Sequence, residues 1–203
     1  MKDLNERQDH KVKVINMAAR NASTQHSSNS AARARAADPS SSRRKTKTDG
    51  AIRGGDGKYQ FKLAEVKDVP AGTGYSTSHG GVVEGERMLV GYIHKPRGTG
   101  SRMHTHKNEQ FNYVVRGTLV GSVNGRKVVA PAGTLIYIPA NAPHTLVASP
   151  DDEDVIFIAI KDLSQGIIGK AVDGTMTGPH YDKGFGPAAK ARKKTKARPA
   201  ARR

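Results

Sequence analysis

From residue 87 to residue 160 the sequence breaks into short β-branched and aromatic runs, each closed by a turn signal. No window there carries a helical period long enough to compete. The runs are RMLVGYIHK (87–95), QFNYVV (110–115), TLVGSV (118–123), RKVVA (126–130), TLIYI (134–138), HTLVA (144–148) and VIFIAI (155–160). Asn124-Gly125 suits a two-residue type I′ hairpin, because both residues tolerate positive φ. Strands this short and evenly spaced, with no helices between them, specify an antiparallel sandwich or barrel, so the expected fold class is all-β. KLAEV (62–66) reads as an outlying strand. The Gly-rich stretch from 162 to 186 reads as a lid, an arm reaching a partner subunit, or a short helix.

The rest of the chain differs in kind. Only 35% of the 203 residues are apolar and 5% aromatic, too few for a wholly folded globule of this length. The net charge of +16 is concentrated at the ends: residues 1–58 carry +7, residues 59–182 carry 0 and residues 183–203 carry +9. The expected organisation is therefore a disordered basic region over 1–58, a β-domain over 59–162, a Gly-rich extension over 163–182 and a disordered Lys/Arg/Ala-rich tail over 183–203. Such tails read first as solvated, solubilising segments; they can also touch nucleic acid weakly and without sequence preference, through counterion release, and Phe185 is their one Phe, Tyr or Trp.

With no cysteine, disulfides, thiolate metal sites and cysteine nucleophiles are excluded. The longest apolar run is too short to cross a bilayer, and the charged opening MKDLNERQDH has no secretory pattern. From Met17 onward the composition is that of a transit peptide and also that of a plain basic disordered tail; the tail is the preferred reading, with a cytoplasmic location expected.

The chemistry concentrates in HTHKNEQFNYVVRG, residues 104–117. On a strand His104 and His106 point to one face, where two imidazoles can grip one divalent ion. Gln110 shares their parity and Glu109 does not. His144 follows a Pro-rich turn, where a further strand begins.

Residues 98–117 and 133–144 together resemble the two motifs of the cupin family. The first is matched by Gly98, His104, His106, position 110 and Gly117. The second is matched by Gly133, Pro139, His144 and, in a glycine position, Asn141. The resemblance implies a single jelly-roll barrel holding one divalent metal ion (Fe, Mn, Ni or Zn) on His104, His106, Gln110 and His144. Gln110 stands where many cupins carry Glu, so the ligand set is neutral and the metal's charge stays available to polarise a substrate oxygen. The activity implied is that of a small-molecule metalloenzyme, a lyase or isomerase or an Fe(II) dioxygenase, on an oxygen-bearing organic or sugar-acid substrate. The alternatives are a sugar-acid binding or sensor module and a nucleic-acid-associated protein working through its tails.

A missing general base turns attention to Tyr92 and His94, which share a parity and are expected to face the interior. Asn112 shares the face of Gln110. His180 is placed to close over the mouth, and Arg102 and Arg116 are candidates for a substrate carboxylate. A lone barrel with open edges is expected to form a homodimer, with FKLAEV from 61 and the Gly-rich stretch after Asp162 as the pairing segments.

Overall fold

The computed structural model describes residues 45–55, 57–172, 174 and 178–187. The remainder of the basic terminal regions lies outside the described residues. Fourteen strands run through the described residues: β1 (Ile52–Arg53), β2 (Asp68–Pro70), β3 (His79–Glu84), β4 (Met88–Lys95), β5 (Thr99–Gly100), β6 (His104–Thr105), β7 (Gln110–Arg116), β8 (Thr118–Val123), β9 (Arg126–Pro131), β10 (Leu135–Ile138), β11 (His144–Ala148), β12 (Val155–Asp162), β13 (Lys170–Ala171) and β14 (His180–Tyr181).

They form two seven-stranded sheets. One runs β1-β3-β4-β12-β7-β10, with β2 also on β3; the other runs β13-β6-β11-β5-β14, with β8 on β11 and β9 on β8. All pairings between these strands are antiparallel except that of β1 with β3. The protein is all-β, with the layered sheets of a jelly roll.

The alternation that identified the strands also builds the core. Leu89 and Ile93 of β4, Val114 of β7 and Val155 and Phe157 of β12 meet Leu119 of β8 and Leu146 of β11 in one buried apolar cluster. Truncating any of these aliphatic residues to Ala costs about 2–5 kcal/mol by the usual range for a close-packed core. The β8–β9 hairpin turns through Asn124 (φ 48°) and Gly125 (φ 78°), with Val123 opposite Arg126, as the type I′ reading requires.

Three expectations are corrected. Residues 62–66 are not a strand: Leu63–Glu65 is a single 3-10 turn, packed over β3 and β4. A strand that composition did not signal, β3, lies just beyond it. Its Gly80 and Gly81 lower its β-propensity, yet a Cβ at Gly80 would collide with the Tyr92 carbonyl and one at Gly81 with Leu63 and Val66.

The folded unit also extends past both boundaries drawn from composition, at 58/59 and 182/183. The carboxylate of Glu84, fully buried, accepts the backbone amides of Lys47 (2.8 Å) and Thr48 (2.7 Å), and β1 follows directly. At the other end the Phe185 ring fills the space beside Gly98 (φ 66°) and lies 5.3 Å from the Arg97 guanidinium. Backbone capture by a buried carboxylate and one aromatic anchor leave little trace in composition. The Gly-rich stretch contributes β13 and β14, which pair with β6 and β5 of its own chain. No helix among the described residues is long and apolar enough to cross a membrane.

Candidate metal centre

His104 opens β6 and His144 opens β11, and the two are direct partners across the antiparallel pair. Their rings lie 4.0 Å apart between centroids, with His106 at 4.8 Å from His144 and 6.1 Å from His104. The two motifs are locked together by backbone: Asn141, held at φ 62° in the Pro-rich turn, donates its amide to the His106 carbonyl at 2.8 Å. Asn therefore does what glycine does in that turn, as the sequence reading required.

All three imidazoles are buried, and each commits its Nδ1 to a backbone carbonyl two residues away. His104 donates to Arg102 (2.8 Å), His106 to Asn108 (2.8 Å) and His144 to Ala142 (2.9 Å). That pattern fixes the tautomer and leaves the Nε2 lone pairs free, which is how metal-binding histidines are usually oriented. One ring nitrogen from each residue lies within 4.8 Å of the others, and the buried Nε2 of His106 has no hydrogen-bond partner.

Burial, reinforced by neighbouring charge, lowers the basicity of all three. The values fall to about 2 for His104, about 3 for His106 and about 4 for His144, from an ordinary 6.5. At neutral pH the cluster is three uncharged imidazoles, the protonation state that metal ligation needs. These residues fit a divalent ion: three neutral imidazole nitrogens converge in a buried cluster, the donor set that divalent ions such as zinc take.

Gln110, at the start of β7, is buried beside them. Its Nε2 donates to the Asn112 Oδ1 at 2.5 Å, leaving Oε1 as the unengaged end of the amide. The Gln110 side chain raises the basicity of His106 slightly, yet forms no hydrogen bond with its Nε2, so the two atoms are neighbours rather than partners. Asn112 lines the cavity, as parity indicated. Glu109 lies outside it, its carboxylate accepting the Tyr137 hydroxyl at 2.8 Å.

His104 and His144 of the cluster line an open-mouthed cavity together with Tyr75, Gln110 and Asn112. Two residues that sequence reasoning passed over line it. Lys95 ends β4 and Lys161 lies near the end of β12, each 3% exposed. The Lys95 Nζ donates to the Leu146 carbonyl (2.8 Å) and the Lys161 Nζ to the Ile167 carbonyl (3.0 Å). Burial lowers both to about 7 from 10.5. Tyr75 is a third: it lies 4.5 Å from the His104 ring, its hydroxyl accepts the Gly169 amide, and burial raises it to about 12.

Tyr92 and His94 are not brought to the site. On β4 the buried set is Leu89, Gly91, Ile93 and Lys95, so Tyr92 and His94 point to the opposite, outer face. There His94 stacks on His79 at 5.7 Å and meets the edge of Tyr92 at 5.2 Å. His180 is also elsewhere: it pairs opposite Gly100, hydrogen-bonds Asp182 at 3.0 Å, and lines a separate depression with Arg102. Arg116 is tied to Glu153 at 3.3 Å on the surface.

Comparison with known proteins agrees with this geometry. Residues 91–161 match the family described as "Cupin_2: Cupin domain", as the resemblance of the two motifs implied. Among solved structures it is similar to the polyketide cyclase RemF from Streptomyces resistomycificus, at 20% identity over 52% of this chain and 80% of that one, with a TM-score of 0.45. A RmlC-like cupin from Shewanella frigidimarina is similar at 22% identity, 51% and 87% coverage and a TM-score of 0.42. KdgF from Halomonas sp. is similar at 23% identity, 42% and 77% coverage and a TM-score of 0.38. No curated protein matches the chain. Likenesses at this level carry no statement about reaction.

Proposed function

We propose that this protein is a small-molecule metalloenzyme, of lyase or isomerase type, with one divalent ion on His104, His106 and His144 and the carbonyl oxygen of Gln110 as fourth ligand. The observation that carries the reading is the set of three buried, neutral imidazoles whose Nδ1 atoms are all satisfied by backbone while the Nε2 of His106 is left without a partner. A bound divalent ion would act as a Lewis acid towards a substrate oxygen.

The chain's own residues supply the remainder. Asn112 holds the Gln110 amide so that its oxygen, not its nitrogen, is free. Lys95 and Lys161, brought by burial to about 7, place N–H donors in the cavity and can give a proton at Nζ to a substrate oxygen on which negative charge develops. Tyr75, raised to about 12, stays protonated and serves as a neutral hydroxyl beside His104. No carboxylate lines the cavity among the described residues, so any base acting there is not an acidic side chain of that lining.

The test is a screen of oxygen-bearing organic acids with purified protein, with chelated protein and with chelated protein resupplied with Fe, Mn, Ni or Zn. Turnover lost on chelation and restored by one metal supports the reading. Metal-independent turnover, or ligand binding with no turnover by any metal form, replaces it with a different activity or with a binding module.

A further inference from the structure

The interior of this cavity is charged in one direction only. Its described lining contains Lys95 and Lys161 and no aspartate or glutamate, and neither ammonium takes part in a salt bridge. Nearby acids are engaged elsewhere: Glu84 caps the Lys47 and Thr48 amides, and Asp162 takes the amides of Glu109 and Ser164. Each Nζ has three donors and gives one to a backbone carbonyl. Only Lys161 feels an acid, the neighbouring Asp162, and neither amine has a salt-bridge partner among the described residues. A buried ammonium without such a partner is costly, and a fold that only needed to hold those carbonyls could do so with a neutral amide or hydroxyl.

The two lysines also stand apart. On the paired strands Lys95 lies opposite Val155 while Lys161 lies opposite Leu89, six residues away along the ladder. Their charges meet on His144 and differ otherwise: Lys95 also acts on His104, and Lys161 on His106. Both therefore lie near the histidine cluster while being six ladder positions apart.

We propose that the ligand of this cavity is a small organic acid with two carboxylates, one seated on Lys95 and the other on Lys161, with the oxygen-bearing part between them at the histidine cluster. The proposal rests on the reading of the cavity as a ligand site, and deepens it by naming the substrate class. Two ammonium anchors select for two anionic groups at a set separation, and the buried setting makes each charge-assisted hydrogen bond strong.

The experiment is calorimetric titration of the full chain with a series of linear dicarboxylates, from malonate to adipate, with the matching monocarboxylates and with inorganic phosphate. It is run on native protein, Lys95→Met, Lys161→Met and Arg102→Gln, and on His106→Ala to separate anion capture from metal. The expected result is that one chain length binds best and at least tenfold tighter than its monocarboxylate. Each lysine replacement should weaken it about tenfold or more, and Arg102→Gln should leave it unchanged. Should a methionine variant fail to fold by urea denaturation, Lys→Gln at the same position takes its place.

Undiminished dicarboxylate binding in both lysine variants, no binding of any acid in the series, or equal affinity for mono- and dicarboxylates overturns the proposal. Phosphate binding as tightly as the best acid, with the same lysine dependence, overturns the carboxylate assignment. Persistence of lysine-dependent binding in His106→Ala upholds this inference even if the metal reading fails. Metal bound in full with no acid captured refutes it alone.

Discussion

Replacing Lys95 and Lys161 together by methionine should abolish a specific pH dependence of stability. Burial brings both amines to about 7, against an ordinary 10.5. Between those values the unfolded chain binds more protons than the folded one, so stability rises with pH through that window and levels off above it. The cost of keeping each lysine buried is on the order of 4 kcal/mol at pH 7 and about 2 kcal/mol at pH 9, a gain of about 2 kcal/mol per lysine.

The histidines titrate in a separate range. Their folded values of about 2, 3 and 4 lie below 6.5, so their part of the stability is regained as pH rises to 6.5 and is constant beyond it. Methionine preserves the aliphatic stem, which keeps packing nearly constant. The assay is urea denaturation of chelated protein from pH 6 to pH 9. The native chain should gain about 4 kcal/mol between pH 7 and 9, each single variant about half of that, and the double variant almost none. A native chain whose stability is flat over that range, or a double variant that keeps the rise, would refute the reasoning.

Other outcomes follow from the same contacts. Glu84→Gln should lower stability by roughly 2 kcal/mol, measured by urea denaturation, because the buried charge accepts two backbone amides from the segment leading into β1. Asn108→Ala removes side-chain donors to the carbonyls of Asp162 (2.6 Å) and Gln165 (2.8 Å) beneath the His106 loop. Metal affinity should fall about 10–100-fold in a competition assay with a chelator, as it does when outer supports of metal ligands are removed. Gln110→Glu should retain metal and alter turnover by lowering the site's net charge, read as a change in kcat with the metal content constant.

The histidine cluster was legible because a strand's period is two and because the second motif supplies its own turn chemistry. Parity pointed to His104, His106 and Gln110, although only His104 lies on β6 and Gln110 opens β7 beyond a bend. The seven runs between residues 87 and 160 were legible for a similar reason, since each carries enough β-branched residues to outweigh its neighbours. The short strands β1, β13 and β14 contain two residues each, and their pairing is decided by tertiary contacts that no local pattern records.

Tyr92 and His94 were misplaced by one residue of register, which on a strand reverses the face. Apolar side chains occupy both faces of β4: Leu89 and Ile93 lie inside while Val90 and Tyr92 lie outside, so alternation alone does not name the inner face. The lysines were passed over because a charged residue ending an apolar run reads as the exit to solvent. A signal was present: Lys95 has the parity of Leu89 and Ile93, and Lys161 that of Val155, Phe157 and Ala159. Tyr75, in the loop between β2 and β3, had no pattern to reveal it.

The central claim is that His104, His106 and His144 hold one divalent ion, and elemental analysis of native protein beside His106→Ala and His144→Ala tests it most directly. The account predicts close to one equivalent of a single divalent metal in the native chain. It predicts almost none in either variant, with both variants folded by urea denaturation because the apolar cluster between the sheets does not include the histidines. The same tightly bound metal in native protein and in His106→Ala would contradict it.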